Sequence, residues 1–244
     1  MSTLLLRLEG PQQAWGNDSQ FEKRMTGREP TKSGVIGLLC AALGKPRIER
    51  EGDEYPTLRE LAALQMGVRV DAEGSLQADY HTAGNPYSDG TGGVLTASGK
   101  LRTDPVLSTR YYLAGASFLV GLDGELPLLQ RLHAALRVPV WQICLGRKAF
   151  VPSAPVYLHD GLVEETLLVA LGRYWPKDSG PEHGTGEGSR SPAPEQLAVL
   201  LDDPNGTSGD IRLDVPEDFA VRRFAPRAVK RETVARPQAA TQGG

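Results

Sequence analysis

The sequence predicts an α+β protein, an antiparallel sheet backed by helices in the ferredoxin-like (RRM-like) arrangement. Over the first 145 residues, extended apolar runs and helical stripes follow one another as strand, helix, strand, strand, helix, strand. Residues 83–109, between the second and third of those strands, are rich in Gly, Ser, Thr, Asn and Asp. They are too polar to join a core and too long for an ordinary connection, so they should project as an arm or hairpin. Beyond residue 150, short apolar runs separated by turn residues give a smaller β-rich region.

The first strand is 4–8, L-L-L-R-L, whose mostly apolar run suits a central place in a sheet. G-P-Q-Q-A-W-G then turns the chain, and Trp15 reads as a core anchor, with a stacking platform as its other use. The helix that follows opens at P-T-K-S-G: Pro30 presets φ, and Thr31 or Ser33 can cap the free N–H groups of the first turn. Val35, Leu38, Leu39, Ala42 and Leu43 recur at helical spacing until Gly44 and Pro46 end it. Thr57-Leu58-Arg59-Glu60 is a capping box for a second short helix through Gln65. Residues 67–71 and 76–81 read as a strand pair about Glu73-Gly74. Residues 110–122 read as one long strand, and 123–136 as a helix on whose apolar stripe His133 is a packing residue. Residues 138–145 read as the next strand and 162–174 as a helix. The segment 176–195 is an insertion disordered by composition, and residues 226–244 form a basic tail. This gives a domain over 1–150, a projecting arm at about 79–110, and a C-terminal region over 151–225.

Composition excludes several classes. No apolar run approaches the roughly 20 residues of a membrane span, and M-S-T-L-L-L-R-L does not read as a secretion signal, so a cytosolic protein is expected. Cys40 and Cys144 have no metal spacing and read as small buried hydrophobes. No cofactor, metal or catalytic residue is expected. A net charge of −3 argues against a surface that coats nucleic acid everywhere, yet Lys and Arg cluster locally at 23–24, 147–148 and 222–236. The helix start resembles an anion site, with free N–H groups, Lys32 and two hydroxyls, and Gly34 and Gly37 imply a close approach to something. It fails as a P-loop, since Met25 and Thr31 occupy the two positions that must be glycine. The third strand's G-A-S-F-L also lacks the aromatic and basic residues by which an RRM sheet stacks bases.

Four blocks carry a resemblance. They are L-L-L-R-L-E-G-P-Q-Q-A-W-G; R-M-T-G-R-E-P-T-K-S-G-V-I-G-L-L-C-A-A-L-G; L-R-T-D-P-V-L-S-T-R-Y-Y-L-A-G-A-S-F-L-V-G-L; and L-G-R-K-A-F-V-P-S-A-P-V with the later R-R-F-A-P-R. In this order they resemble CasD-type subunits of the type I-E CRISPR surveillance complex, Cascade, within the RAMP superfamily. The resemblance implies a non-enzymatic subunit that holds the 5′ handle of the CRISPR RNA (crRNA) and caps the backbone filament, with the arm acting as a thumb. CasC backbone subunits and the large CasA subunit would be its neighbours. Target DNA would be read by guide pairing rather than by this chain.

Phosphates of a single-stranded handle suit backbone N–H groups with Arg and Lys, and splayed bases suit a few side chains. The expected RNA contacts are therefore Arg24, Thr31, Lys32, Ser33 and Gly34 at the helix start, Arg110 on the third strand, and Gly146, Arg147 and Lys148 in the turn; His81, Leu107 and Ser108 join them at the arm's base. The alternative is a metal-independent endoribonuclease that processes CRISPR precursor RNA, for which His81, His159, Tyr111 and Lys148 are the available groups.

Overall fold

The computed structural model describes residues 1–16, 19–20, 22–84, 94–95, 98–102, 104–174, 195–206 and 209–237. In chain order its elements are β1 (Ser2–Glu9), β2 (Gln12–Gln13), β3 (Ser19–Gln20), β4 (Lys23–Arg24), α1 (Lys32–Leu43), α2 (Leu58–Ala63), β5 (Gln65–Ala72) and β6 (Ser75–Ala83). There follow β7 (Val94–Leu95), β8 (Leu101–Arg102), β9 (Val106–Ala114), β10 (Ser117–Gly124), α3 (Leu126–Arg137), β11 (Tyr157–Val163), α4 (Leu167–Arg173), β12 (Gln196–Asp202), β13 (Asp210–Asp218) and β14 (Arg223–Ala235). A seven-stranded antiparallel sheet has the order β11-β1-β10-β5-β12-β14-β13. Most of the expected insertion 176–195, and the tip of the expected arm, lie outside the described residues.

The sheet is buried on both faces at its centre, which is why β1 reads as an apolar run without alternation. Leu4, Leu6 and Leu8 face α1, α2 and α3, whereas Leu5 faces α4 with Leu119, Val199 and Leu201. α4 can lie close because Gly67 and Gly121 stand opposite each other in register. A Cβ on either glycine would come within 2.7 Å of Leu171 or 2.6 Å of Leu167. The helix caps form as their sequences require. Thr31 accepts from the Gly34 N–H, Gly44 closes α1 at φ 72°, and Thr57 with Glu60 completes a capping box. Trp15 is a core anchor, 1% exposed. His133 packs as expected, stacked on Tyr157 at 4.7 Å with Nε2 2.8 Å from the Leu158 carbonyl oxygen. Cys40 is buried, and burial pushes its thiol up to about 11, consistent with a small core hydrophobe.

Several expectations are corrected. Residues 110–122 are not one strand: Gly115, at φ 68°, separates β9 from β10, which lie in different sheets. Nor do β5 and β6 pair with each other, because β5 pairs β10 while β6 pairs β9. These four strands form a long ribbon with a corner where Gly74, also at φ 68°, crosses Gly115; a Cβ on Gly74 would sit 2.7 Å from the Ala114 carbonyl oxygen. Past the corner the ribbon leaves the main sheet and makes a second one, β2-β9-β4-β3, with β6 along the outer side of β9.

Residues 138–145 form no strand, and the next strand after α3 is β11, so the expected helix 162–174 divides into the end of β11 and the shorter α4. Pro139 removes a ladder donor, and the Val140 and Trp141 N–H groups bond to the Ala42 and Ala41 carbonyls at the end of α1. A boundary at residue 150 does not divide the sheet, since β12, β13 and β14 continue it beside β5. The first residues of the expected basic tail, 226–235, are the paired strand β14. Among the described residues, no helix is long and apolar enough to cross a membrane.

Candidate nucleic-acid interface

Two groups of predicted residues occupy different environments. The first is the start of α1. Thr31 and Lys32 are buried, and the Lys32 ammonium turns inward to Asp202 at 2.8 Å. The Lys32 N–H, one of the free donors of the first turn, bonds Asp214 Oδ2 at 2.9 Å. Arg227 grips both carboxylates: its Nε and Nη2 lie 2.6 and 2.9 Å from Asp214, and its Nη1 bonds Asp202. Asp202 also accepts from the Met66 N–H at 2.9 Å. Burial disfavours the charged Asp214, but the Arg227 hydrogen bonds and charge, with the Lys32 N–H, outweigh it and hold the carboxyl below its usual range. The anion site read at this helix end is thus filled by the protein's own Asp214.

The close approach at Gly34 has an internal cause as well. A Cβ there would lie 2.9 Å from the Trp15 ring and 3.0 Å from Thr31 Oγ1. Trp15 is held by its Nε1–H to Gln13 Oε1 at 3.1 Å, by its backbone N–H to Thr26 Oγ1 at 2.8 Å, and by its carbonyl to the Gly27 N–H at 2.6 Å. Ser33 is half-buried beside the Thr31 hydroxyl.

The second group lies at the base of the ribbon. β4 runs parallel to β9 with Arg24 beside Arg110, while on the other side of β9 Asp79 pairs with Arg110 and His81 with Ser108. The 146–150 turn brings in Arg147, whose Nη2 donates to the Tyr111 carbonyl at 2.8 Å and the Arg24 carbonyl at 3.3 Å. Its guanidinium lies over the Phe150 ring at 5.4 Å, and Phe150 rests on Tyr112. The turn depends on Gly146: φ is 89°, and a Cβ would sit 1.8 Å from the Ala14 carbonyl oxygen.

Partial burial, then the Arg110 charge, then Arg24, push the Arg147 pKa down, with Asp79 opposing. Three guanidiniums therefore share one field. Arg24 and Lys148 are exposed, and Arg110 donates to Ser108 Oγ at 3.1 Å. Among the described residues, none of Arg24, Arg110, Arg147 and Lys148 has a salt-bridge carboxylate. His81 lies at the rim with Nδ1 3.5 Å from Asp79, and Leu107 is exposed. A cluster of this kind can hold phosphates, while buried Ser108 accepts from Arg110 and steadies it beneath them.

Sequence reading missed the buried ion group of Asp202, Asp214 and Arg227: charge alternates along β13 up to Asp214, whereas Asp202 simply ends the apolar run of β12. It also missed Phe150, the platform beneath Arg147, two residues beyond Lys148. Of the groups considered for the alternative enzyme, His81 is on β6 in the second sheet and His159 on β11, an edge of the first.

Comparison with known proteins identifies related chains. Residues 3–230 match the Cas_Cas5d family, described as CRISPR-associated protein (Cas_Cas5). The chain is 34% identical over 170 residues to the CRISPR system Cascade subunit CasD of Escherichia coli K12, an alignment covering 64% of this chain and 70% of that one. A crystal structure of a Cas protein is similar with a TM-score of 0.69 and 40% identity, covering 96% of this chain and 95% of that one. A chain of a CRISPR RNA-guided surveillance complex is similar with a TM-score of 0.68 and 30% identity, covering 96% and 91%.

Proposed function

Because the chain belongs to the Cas5 family of CRISPR-associated proteins, we propose that it is a non-catalytic subunit of a Cascade-type surveillance complex that holds the 5′ handle of crRNA. The observation that carries this reading is the Arg24, Arg110 and Arg147 cluster, where three partly or wholly exposed cations are held together with no salt-bridge carboxylate among the described residues. Mutual repulsion makes such a cluster costly unless an anion sits on it. Single-stranded RNA supplies phosphates in series, and half-exposed His81 and exposed Leu107 on the ribbon beside the cluster are available to bases or sugars.

The strand order β11-β1-β10-β5, with α1 and α3 in the two crossovers, supports a ferredoxin-like body. The β6–β9 ribbon, leaving that body between its second and third strands, supports a thumb that lies across the guide. In this reading Arg24, Arg110, Arg147 and Lys148 touch the RNA, with Gly146, His81, Leu107 and Ser108 around them. Thr31, Lys32, Ser33 and Gly34 form the helix start, which packs on Trp15 and turns Lys32 inward to Asp202. CasC-type backbone subunits and a CasA-type large subunit are the neighbours, and target DNA is recognised through guide pairing.

The test is to purify the assembled complex carrying Arg110→Glu with Arg147→Glu and quantify bound guide RNA. Loss of most of the RNA, with the isolated variant's unfolding temperature retained, is expected. Unchanged RNA content and unchanged salt sensitivity would sink the proposal. Incubating the wild-type chain with repeat RNA in EDTA addresses catalysis: the RNA should remain intact, and site-specific cleavage abolished by His81→Ala would show an enzyme instead.

A further inference from the structure

Residues 138–141, Val-Pro-Val-Trp, are an apolar run that the fold leaves in water. Val138 is 75% exposed, Val140 64% and Trp141 49%, and Pro139 is exposed between them. The segment is nonetheless fixed. Its Val140 and Trp141 N–H groups bond the Ala42 and Ala41 carbonyls, and the Val140 methyls rest against Gly44, where a Cβ would meet them at 2.8 Å. An anchored backbone that turns aliphatic and indole side chains outward has the composition of an interface centre, where Trp is enriched.

Arg137 precedes the patch directly, and Arg47 lies three residues beyond Gly44; both are exposed and have no salt-bridge partner among the described residues. Glu49, by contrast, is already tied to Lys45 and to the Leu58 N–H. The patch covers the C-terminal end of α1, while Trp15 and the Gly27 backbone bonded to it lie at its N-terminal end. At 1.5 Å per residue, the 12-residue helix separates the two ends by about 18 Å.

We propose that the 138–141 segment is a docking surface for another protein subunit of the complex, one offering an apolar cleft with acidic side chains at its rim. Aliphatic Val138, Pro139 and Val140 have no π-face for bases, so the surface fits a protein better than RNA. The inference rests on the chain's proposed place in a multisubunit complex, but not on which residues hold the guide.

The test uses the complex reconstituted from this chain, guide RNA and the other protein subunits. A benzoylphenylalanine at position 141, irradiated in that complex, should give an adduct with a protein subunit, mapped by mass spectrometry to a segment bearing Asp or Glu. An adduct with RNA alone, or none, overturns the proposal. Independently, Val138→Asp with Trp141→Asp should lower the co-eluting amount of that subunit at least tenfold, with the isolated chain's unfolding temperature unchanged. A full complement of subunits in that variant overturns it too. Failure of the RNA reading would show differently, as guide RNA retained by the Arg110→Glu, Arg147→Glu complex.

Discussion

At the start of α1, Lys32 and Arg227 meet Asp202 and Asp214 inside the protein, and a helix end built to hold an anion holds one of the chain's own. At the base of the ribbon, Arg24, Arg110 and Arg147 gather beside solvent, with Asp79 opposing the field at Arg147. The two regions look alike in sequence, each a basic residue beside glycine and a hydroxyl or a turn. They differ in where the counter-charge comes from. A cation neutralised within the chain stabilises the fold, whereas a cation left without a carboxylate is free to hold a ligand.

The largest expected effect breaks the first region. Asp214→Ala leaves Arg227 and the Lys32 N–H short of a partner in a buried site, and should destabilise the chain by about 3–5 kcal/mol in denaturant unfolding. RNA bound per folded molecule should stay the same. Next, at the ribbon, Arg110→Ala with Arg147→Ala removes two charge-assisted hydrogen-bonding groups worth about 1.5–3 kcal/mol each. RNA affinity should fall roughly 100-fold or more, and the slope of log affinity against log salt should shrink by about 0.7 for each phosphate that is no longer neutralised. A helix-start variant that released RNA while keeping its stability would erase the distinction.

Smaller effects sharpen it. Gly34→Ala should cost about 1–3 kcal/mol, because its methyl would press on the Trp15 ring and on Thr31. An RNA contact at Gly34 would instead show as weaker affinity at unchanged stability. The smallest effect is in acid. Asp214 is held below its usual range in the folded state, while its unfolded value is near the reference of about 3.9. The stability it contributes is complete above the unfolded value and is lost as pH falls through the lower, folded one. Asp214→Asn should therefore start less stable at neutral pH and show a shallower fall in unfolding temperature below about pH 4.

Much of this protein was legible in the chain. The apolar run of β1, the capping signals at Thr31 and Thr57 and the stripe of α3 are local patterns, and local sterics and hydrogen bonding determine them. The Gly-Arg-Lys turn and the basic pair before α1 were legible as candidate anion contacts for the same reason. Residues 110–122 and 138–145 were misread because an apolar run looks the same whether it continues a strand, turns a corner at Gly115 or is drawn aside to cap α1.

The sequence by itself thus determined the helix caps, the apolar run of β1 and which residues carry charge. Only the tertiary structure decided which charges cancel, because Asp202, Asp214 and Arg227 reach Lys32 from strands some 170 to 195 residues away. Coulombic attraction depends on separation in space and on burial, and neither quantity is written in the spacing of residues along a chain.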